Sequence, residues 1–272
     1  MDSEEETLGL CPEKLNDYLV KVADIKSGQC INRQSKRRIK AVVAMHTFGH
    51  PVDLDPLAEV CEKYHLDLIE DAAESLGSFY KGCHTGNWGK VSALSFNGNK
   101  IITTGGGGAI LTNDENLASK AKHITTTAKV PHQWEYVHDQ IGYNYRLPNI
   151  NAALGCAQLE KLPAYLKSKR ELAKRYQTAF EKVDGVRIFT ESKEAHCNYW
   201  LNVLLLDEKF YSEQDSILKI TNNNGIMTRP VWKLLPKLPM FNNSPKMNLS
   251  VAESLERRLI NLPSSPSIRF QV

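Results

Sequence analysis

Between Leu68 and Gly108 an acid and an amine stand at the ends of two short apolar runs. The first run, Leu68 and Ile69, leads to Glu70 and Asp71. The second, Val91 to Phe96, leads to Lys100 and then to Gly105–Gly108. If both runs are strands, each group is delivered at a carboxyl end, where ligand sites of open α/β sheets lie. An amine for a Schiff base and a carboxylate that keeps a pyridine nitrogen protonated are the pair that pyridoxal phosphate chemistry requires. Spacing alone leaves other roles open. An Asp after a strand commonly caps a helix, and a loop lysine is commonly solvated. Glu74, three residues after Asp71, equally suits an N3 capping partner.

The elements that must position these groups follow from periodicity. Leu15, Tyr18, Leu19 and Val22 fall at i, i+3, i+4 and i+7 behind Pro12, which predicts a helix with proline in its first turn. A loop over Lys26–Arg38 is expected next, then a valine-rich buried strand over Ile39–Met45. The turn HTFGHPVDLD, a helix over about Pro56–Tyr64 and a strand over Leu66–Ile69 complete a βαβ unit with parallel strands. Four glycines between Gly77 and Gly89 mark turns with room for a hairpin. A strand over Val91–Phe96, a short strand over Ala109–Thr112 and a helix over Asn116–His123 follow. From Asn149 the pattern is helical, with Ile150, Ala153, Leu154 and Ala157 on one face. Pro163 divides it from a second helix carrying Tyr165, Leu172, Ala173, Tyr176, Phe180 and Val183. That proline reads as a hinge between a large lobe, residues 1–163, and a small α/β lobe, residues 164–272. The small lobe carries the apolar run Tyr199–Leu206 and a helix over Ser212–Asn222.

Composition narrows the function classes. A chain of 272 residues, 42% hydrophobic and 24% charged, has enough apolar residue for a proper core and is not a disordered tail. The formal charge of +3 and the lack of a long basic stripe give no sign of nucleic acid binding; Lys36, Arg37, Arg38 and Lys40 read as a solvated cluster. The cysteines Cys11, Cys30, Cys61, Cys83, Cys156 and Cys197 are scattered and read as reduced thiols. His46, His50, Cys61 and His65 match no standard metal spacing, so no metal is expected. The sequence has no run near the length that spans a bilayer, and a cytoplasmic protein is expected.

The wording of the motifs adds a resemblance. EDAAES, SFNGNK with the following glycines, HTFGHPVDLD, GYNYRLPNINAALGCAQLE and MTRPVWKLLP occur in one order through nearly the whole chain. Together they resemble the DegT/DnrJ/EryC1/StrS sugar aminotransferases, pyridoxal phosphate enzymes of fold type I. The resemblance implies a large mixed-sheet α/β domain and a small C-terminal α/β domain. It implies Lys100 as the Schiff-base lysine and general acid–base, and Asp71 as the partner of the pyridine nitrogen. Glu74 and Ala73 would lie against the cofactor ring and Ser95 would hold its phosphate. Asn144 would reach that phosphate from a neighbouring subunit, so a homodimer with a shared site is implied. Arg146 and Arg229 are candidates for the substrate diphosphate or the amino donor's carboxylate. The implied reaction moves an amino group, with glutamate the expected donor, to the 4-keto carbon of a nucleotide-linked deoxysugar.

Two features depart from the family's usual pattern. Gly106 makes the glycine run GGGG where many relatives carry Glu. With the INR…KRRIKAVV insertion, this resembles the branch acting on UDP-4-keto-6-deoxy-N-acetylhexosamines, on routes to bacillosamine and legionaminic acid. The family's N-terminal segment, with its phosphate-gripping turn, has no counterpart before Met1, so the large domain is expected to be incomplete and cofactor affinity reduced. The alternatives are an impaired fragment or non-catalytic partner of a full-length homologue, and a sugar dehydratase of the same family, against which Lys100 argues.

Overall fold

The computed structural model describes residues 1–268. Its first helix, α1 (Pro12–Val22), opens on the predicted proline, whose missing N–H costs nothing at a helix start, and buries Leu15 and Leu19. The expected loop after it is instead a small antiparallel ribbon: β1 (Ala23–Lys26), β2 (Gln29–Asn32) and β3 (Arg38–Ile39). Lys26 faces Gln29 across Ser27 and Gly28, both at positive φ (49° and 71°), the conformation that lets a two-residue turn follow the strand twist. The polar composition hid this hairpin, because only Cys30 of β2 is fully buried. Lys36, Arg37, Arg38 and Lys40 face solvent.

The sheet that carries the site has four strands, hydrogen-bonded to one another in their chain order. Strand β4 (Ala41–Met45) connects through α2 (Leu54–Lys63) to β5 (Asp67–Asp71), and the two strands are parallel, as the βαβ reading requires. Helix α2 buries Leu54, Leu57, Val60 and Cys61 in a core shared with Leu15, Leu19, Val42, Ala44 and Leu68. A two-residue hairpin, β6 (Phe79–Tyr80) and β7 (Cys83–His84), occupies the glycine-rich stretch. Strand β8 (Val91–Ser95) then returns parallel to β5, and β9 (Gly108–Leu111) closes the sheet antiparallel to β8. Gly108 is required there, since a Cβ would meet the Leu94 carbonyl oxygen at 2.2 Å.

Helix α3 (Glu115–Thr125) starts on Asp114, which accepts from the Asn116 and Leu117 N–H groups. Instead of two helices meeting at a proline, one helix, α4 (Asn149–Phe180), runs through Pro163. The proline removes one intrahelical bond, but contacts pin the helix on both sides. Asn151 donates to the Thr104 carbonyl in the first half, and Lys169 and Arg170 donate to carbonyls in the second.

Beyond α4 lies a second sheet of four strands, antiparallel throughout. It comprises β10 (Val186–Ile188), β12 (Asn202–Leu206), β13 (Arg229–Pro230) and β14 (Leu259–Leu262), with β11 (Ala195–His196) paired instead to β6. Strand β12 is buried on both faces. Val203 and Leu205 pack with Phe48, Trp200 and Leu255, while Leu204 and Leu206 pack with Ile188, Ile260, Tyr176 and Phe180. Helices α5 (Gln214–Asn223) and α6 (Ser250–Arg258) flank this sheet. The first of these clusters joins the two sheets, because Phe48 follows β4.

Candidate active site

Four of the expected residues, Asp71, Glu74, Ser95 and Lys100, lie at or beyond the carboxyl ends of the parallel strands. Asp71 ends β5, opposite Met45 on one side and Ala93 on the other, and Ser95 ends β8. The chain then turns through Asn97 to Lys100, with the Lys100 N–H donating to the Asn97 carbonyl at 3.0 Å. The Lys100 amine, with its side chain 13% exposed, lies 3.6 Å from Oε1 of Glu74 and 4.1 Å from the centre of the Trp200 ring.

No helix follows β5; Ala72 to Gly77 form turns, so Asp71 and Glu74 have no helix to cap. Asp71 accepts the Ala73 N–H through Oδ1 at 3.2 Å, and its other oxygen has no partner among the described residues. Glu74 is buried and accepts the Phe48 N–H through Oε2 at 2.8 Å. That N–H reaches it because Phe48 sits at φ 58°, ψ 14°, a left-handed conformation costing a residue with a Cβ about 1–2 kcal/mol. Burial pushes the Glu74 carboxyl above the usual carboxylate range. The Phe48 bond and the Lys100 charge oppose the rise, and the nearby Asp71 charge adds to it. Glu74 thus stands between Asp71 and Lys100, coupled to both.

Behind this cluster is a group that the sequence reading passed over. The side-chain alternation of β5 sends Glu70 to the face opposite Asp71, where it is fully buried. Its oxygens accept the Gly86, Trp88 and Gly89 N–H groups at 2.7, 2.8 and 2.6 Å, and His46 Nε2 lies at 3.0 Å. His46 Nδ1 accepts the Val52 N–H at 3.2 Å, which leaves the ring proton on Nε2 and makes that nitrogen the donor. Burial raises the Glu70 carboxyl, but the bonds from His46, Gly89 and Gly86 outweigh it and hold it below the usual range. The signal available in the sequence was an acid two positions beyond an inward Leu68. Its partners lie in a glycine turn that no pattern assigns.

Trp200, two residues before β12, was also missed, and it closes the other side of Lys100. Its indole N–H donates to the Asn99 carbonyl at 2.8 Å and its backbone N–H to Asn198 Oδ1 at 2.8 Å. Asn198 in turn donates to the Glu74 and Leu76 carbonyls at 2.8 and 3.0 Å. The Trp200 carbonyl accepts from the buried amine of Lys169 at 3.0 Å, which also donates to the Ser264 carbonyl. Burial pulls that amine down to about 8. Nothing in the local spacing joins residue 200 to residue 100.

Other expected residues lie outside the cluster. Asn144 and Arg146 are exposed on an arm between α3 and α4, with Asn144 bridged to Thr126. Arg229 is exposed and donates to Asn222 Oδ1 and the Thr228 carbonyl at 2.8 and 2.7 Å. His46 is engaged with Glu70, and burial pushes the Cys61 thiol up to about 11. Among the described residues no group of three or more His, Cys, Asp or Glu side chains is arranged to hold a metal ion, and no helix is long and apolar enough to cross a membrane.

The donor set fits pyridoxal phosphate. A carboxylate with one uncommitted oxygen, an amine, and the Ser95 hydroxyl, whose hydrogen is not donated within the described chain, all face the same strand ends. The fold is a mixed α/β one, and this set is of the kind that pyridoxal phosphate-dependent transferases use. Residues 13–271 match the DegT/DnrJ/EryC1/StrS aminotransferase family, and the chain belongs to it. The chain is 38% identical to a putative pyridoxal phosphate-dependent aminotransferase, EpsN, of Bacillus subtilis, over 98% of this chain and 67% of that protein. It is 37% identical to a GDP-perosamine synthase of Escherichia coli O157:H7, over 88% of this chain and 64% of the relative. It therefore spans about two thirds of the length of such relatives. Its fold superposes on Helicobacter pylori PseC, an aminotransferase involved in the biosynthesis of pseudoaminic acid, with a TM-score of 0.88 at 24% identity, covering 99% of this chain and 69% of that one.

Proposed function

We propose that this chain transfers an amino group to the keto carbon of a nucleotide-linked deoxysugar, using pyridoxal phosphate, with glutamate as donor and the 4-position as acceptor. The observation that carries the reading is the Lys100 amine 3.6 Å from a buried carboxylate at the strand ends where Asp71 and Ser95 also lie. The cofactor, when bound, supplies an aldehyde that takes up the amino group and a protonated ring that accepts electrons. Asp71 keeps the proton on the ring nitrogen through its uncommitted oxygen. Lys100 anchors the cofactor and, once released, carries a proton to and from the substrate carbon. Glu74 faces the amine and steadies the turn through Phe48, while Ala73 leaves room for a flat ring. The Ser95 hydroxyl donates to the phosphate.

The exposed arm supports a homodimer in which Asn144 of one copy completes the phosphate site of the other. Tyr145 and Ile141 on the arm and Ile150 in the first turn of α4 are 71%, 83% and 86% exposed, an apolar surface that a second copy would cover. Arg146 and Arg229 are assigned to the diphosphate or the donor carboxylate. The GGGG run and the basic insertion support a UDP-linked N-acetylhexosamine as acceptor, and the reading fits a cytoplasmic enzyme.

The test is borohydride fixation of added pyridoxal phosphate followed by peptide mapping. The label is expected on the Lys100 peptide, and Lys100→Ala is expected to remove it while leaving the far-ultraviolet circular dichroism unchanged. Full transaminase activity in Lys100→Ala would overturn the assignment. Asp71→Asn is expected to lower turnover more than cofactor retention.

A further inference from the structure

We propose that Trp200 is a positioning residue for Lys100, seating its amine on the indole face whenever that amine is not covalently engaged. This rests on the assignment of Lys100 as the reactive amine. Two independent contacts converge on the lysine. The ring lies 4.1 Å from Nζ, a distance at which a cation is attracted to an indole face. The indole N–H fixes the Asn99 carbonyl, one residue before Lys100, and so sets the turn from which the side chain departs.

Trp200 is built to hold still. It is 4% exposed, and its carbonyl is held by Lys169 and its N–H by Asn198. Its ring is stacked on Trp232, with centroids 6.1 Å apart and planes within 5°, and Trp232 is stacked on Phe48 at 5.4 Å. Phe48 is the residue whose N–H binds Glu74, so the stack returns to the carboxylate on the other side of the amine. A lysine stem has four flexible carbons, and a freed ammonium samples many rotamers. A carboxylate on one side and a fixed ring face on the other confine it within reach of the reacting carbon. Because Trp200 lies just before β12 of the second sheet and Lys100 in the turn after β8 of the first, the seat also ties the geometry of the amine to the docking of the two sheets.

The experiment separates the ring face from the fold by site-specific replacement of Trp200 with mono- to tetrafluorinated tryptophan, which keeps the shape and the N–H but weakens the face. In the cofactor-free chain, trace labelling by an amine-reactive reagent is read at Lys100 relative to the exposed Lys26. The ratio is expected to rise with each fluorine, by roughly threefold to tenfold across the series, the range a cation on an indole supports. Trp200→Leu is expected to exceed this and Trp200→Phe to fall between. In the cofactor-loaded enzyme, kcat is expected to fall along the same series while KM for the amino donor stays constant. A labelling ratio independent of fluorination, or a loss carried entirely in KM, would overturn the proposal. If borohydride fails to fix the cofactor on Lys100 in the unsubstituted chain, the functional reading fails whatever the labelling ratio. If fixation succeeds and the ratio stays flat, only the seat fails.

Discussion

His50 gives the sharpest prediction about stability. It is buried, its ring edges against Phe189 and Tyr199 with centroids at 4.7 and 5.4 Å, and neither ring nitrogen has a hydrogen-bond partner among the described residues. Burial pulls it down to about 4 from an ordinary 6.5, with the Glu191 charge opposing the shift. The folded chain therefore keeps His50 neutral at a pH where the unfolded chain has taken up a proton. The stability this represents is fully present above the unfolded value. It falls as the pH drops below about 6.5, until the folded ring protonates near pH 4. A shift of that size corresponds to about 3 kcal/mol in total, and to about 2 kcal/mol between pH 7 and pH 5. His50→Phe keeps an aromatic ring in the slot and removes the titration. Urea unfolding of both chains at about pH 7 and about pH 5 isolates His50, since the acid sensitivity of Glu70, Glu191 and the other carboxyls is common to both. Wild type is expected to lose about 2 kcal/mol more than the variant over that interval. Equal losses would refute the reasoning, and would mean that the buried ring finds a proton acceptor or water on acidification.

Other consequences are equally direct. Glu70→Gln places an NH₂ group among four donors, and a loss of about 2–4 kcal/mol is expected by urea unfolding, with no rescue by raising the pH. Gly49→Ala is expected to cost more than about 2 kcal/mol, because the backbone there has φ +93° and a Cβ would lie 1.9 Å from Asn198 Oδ1. A thermal midpoint within a degree of wild type would contradict that packing. Ile150→Asp is expected to shift a homodimer to monomers in sedimentation while the cofactor-free fold is retained; an unchanged dimer would move the interface away from the arm.

Much of the site was legible along the chain because its signals are local. Apolar runs ending in Asp71 and before Lys100 form short parallel strands, and the strand ends bring the two groups to one edge of the sheet, while the roles came from the resemblance of the motifs. The parallel β4-α2-β5 unit was readable from its spacing for the same reason, as was the hairpin among the glycines. Local signals mislead where polar composition conceals the β1–β3 ribbon, and at Pro163, which predicts a helix end inside a helix that contacts on both sides of it hold together. Only the tertiary structure decided the neighbours of the amine. Glu74 lost its capping role because no helix forms after β5, and it gained Lys100 and the left-handed Phe48 as partners. Glu70 and Asp71 are adjacent in sequence, yet the pleat sends one into a buried lattice of amides and the other to the strand end. Trp200 stands a hundred residues from Lys100, and the distance between them is set by how two sheets pack, which no periodicity encodes.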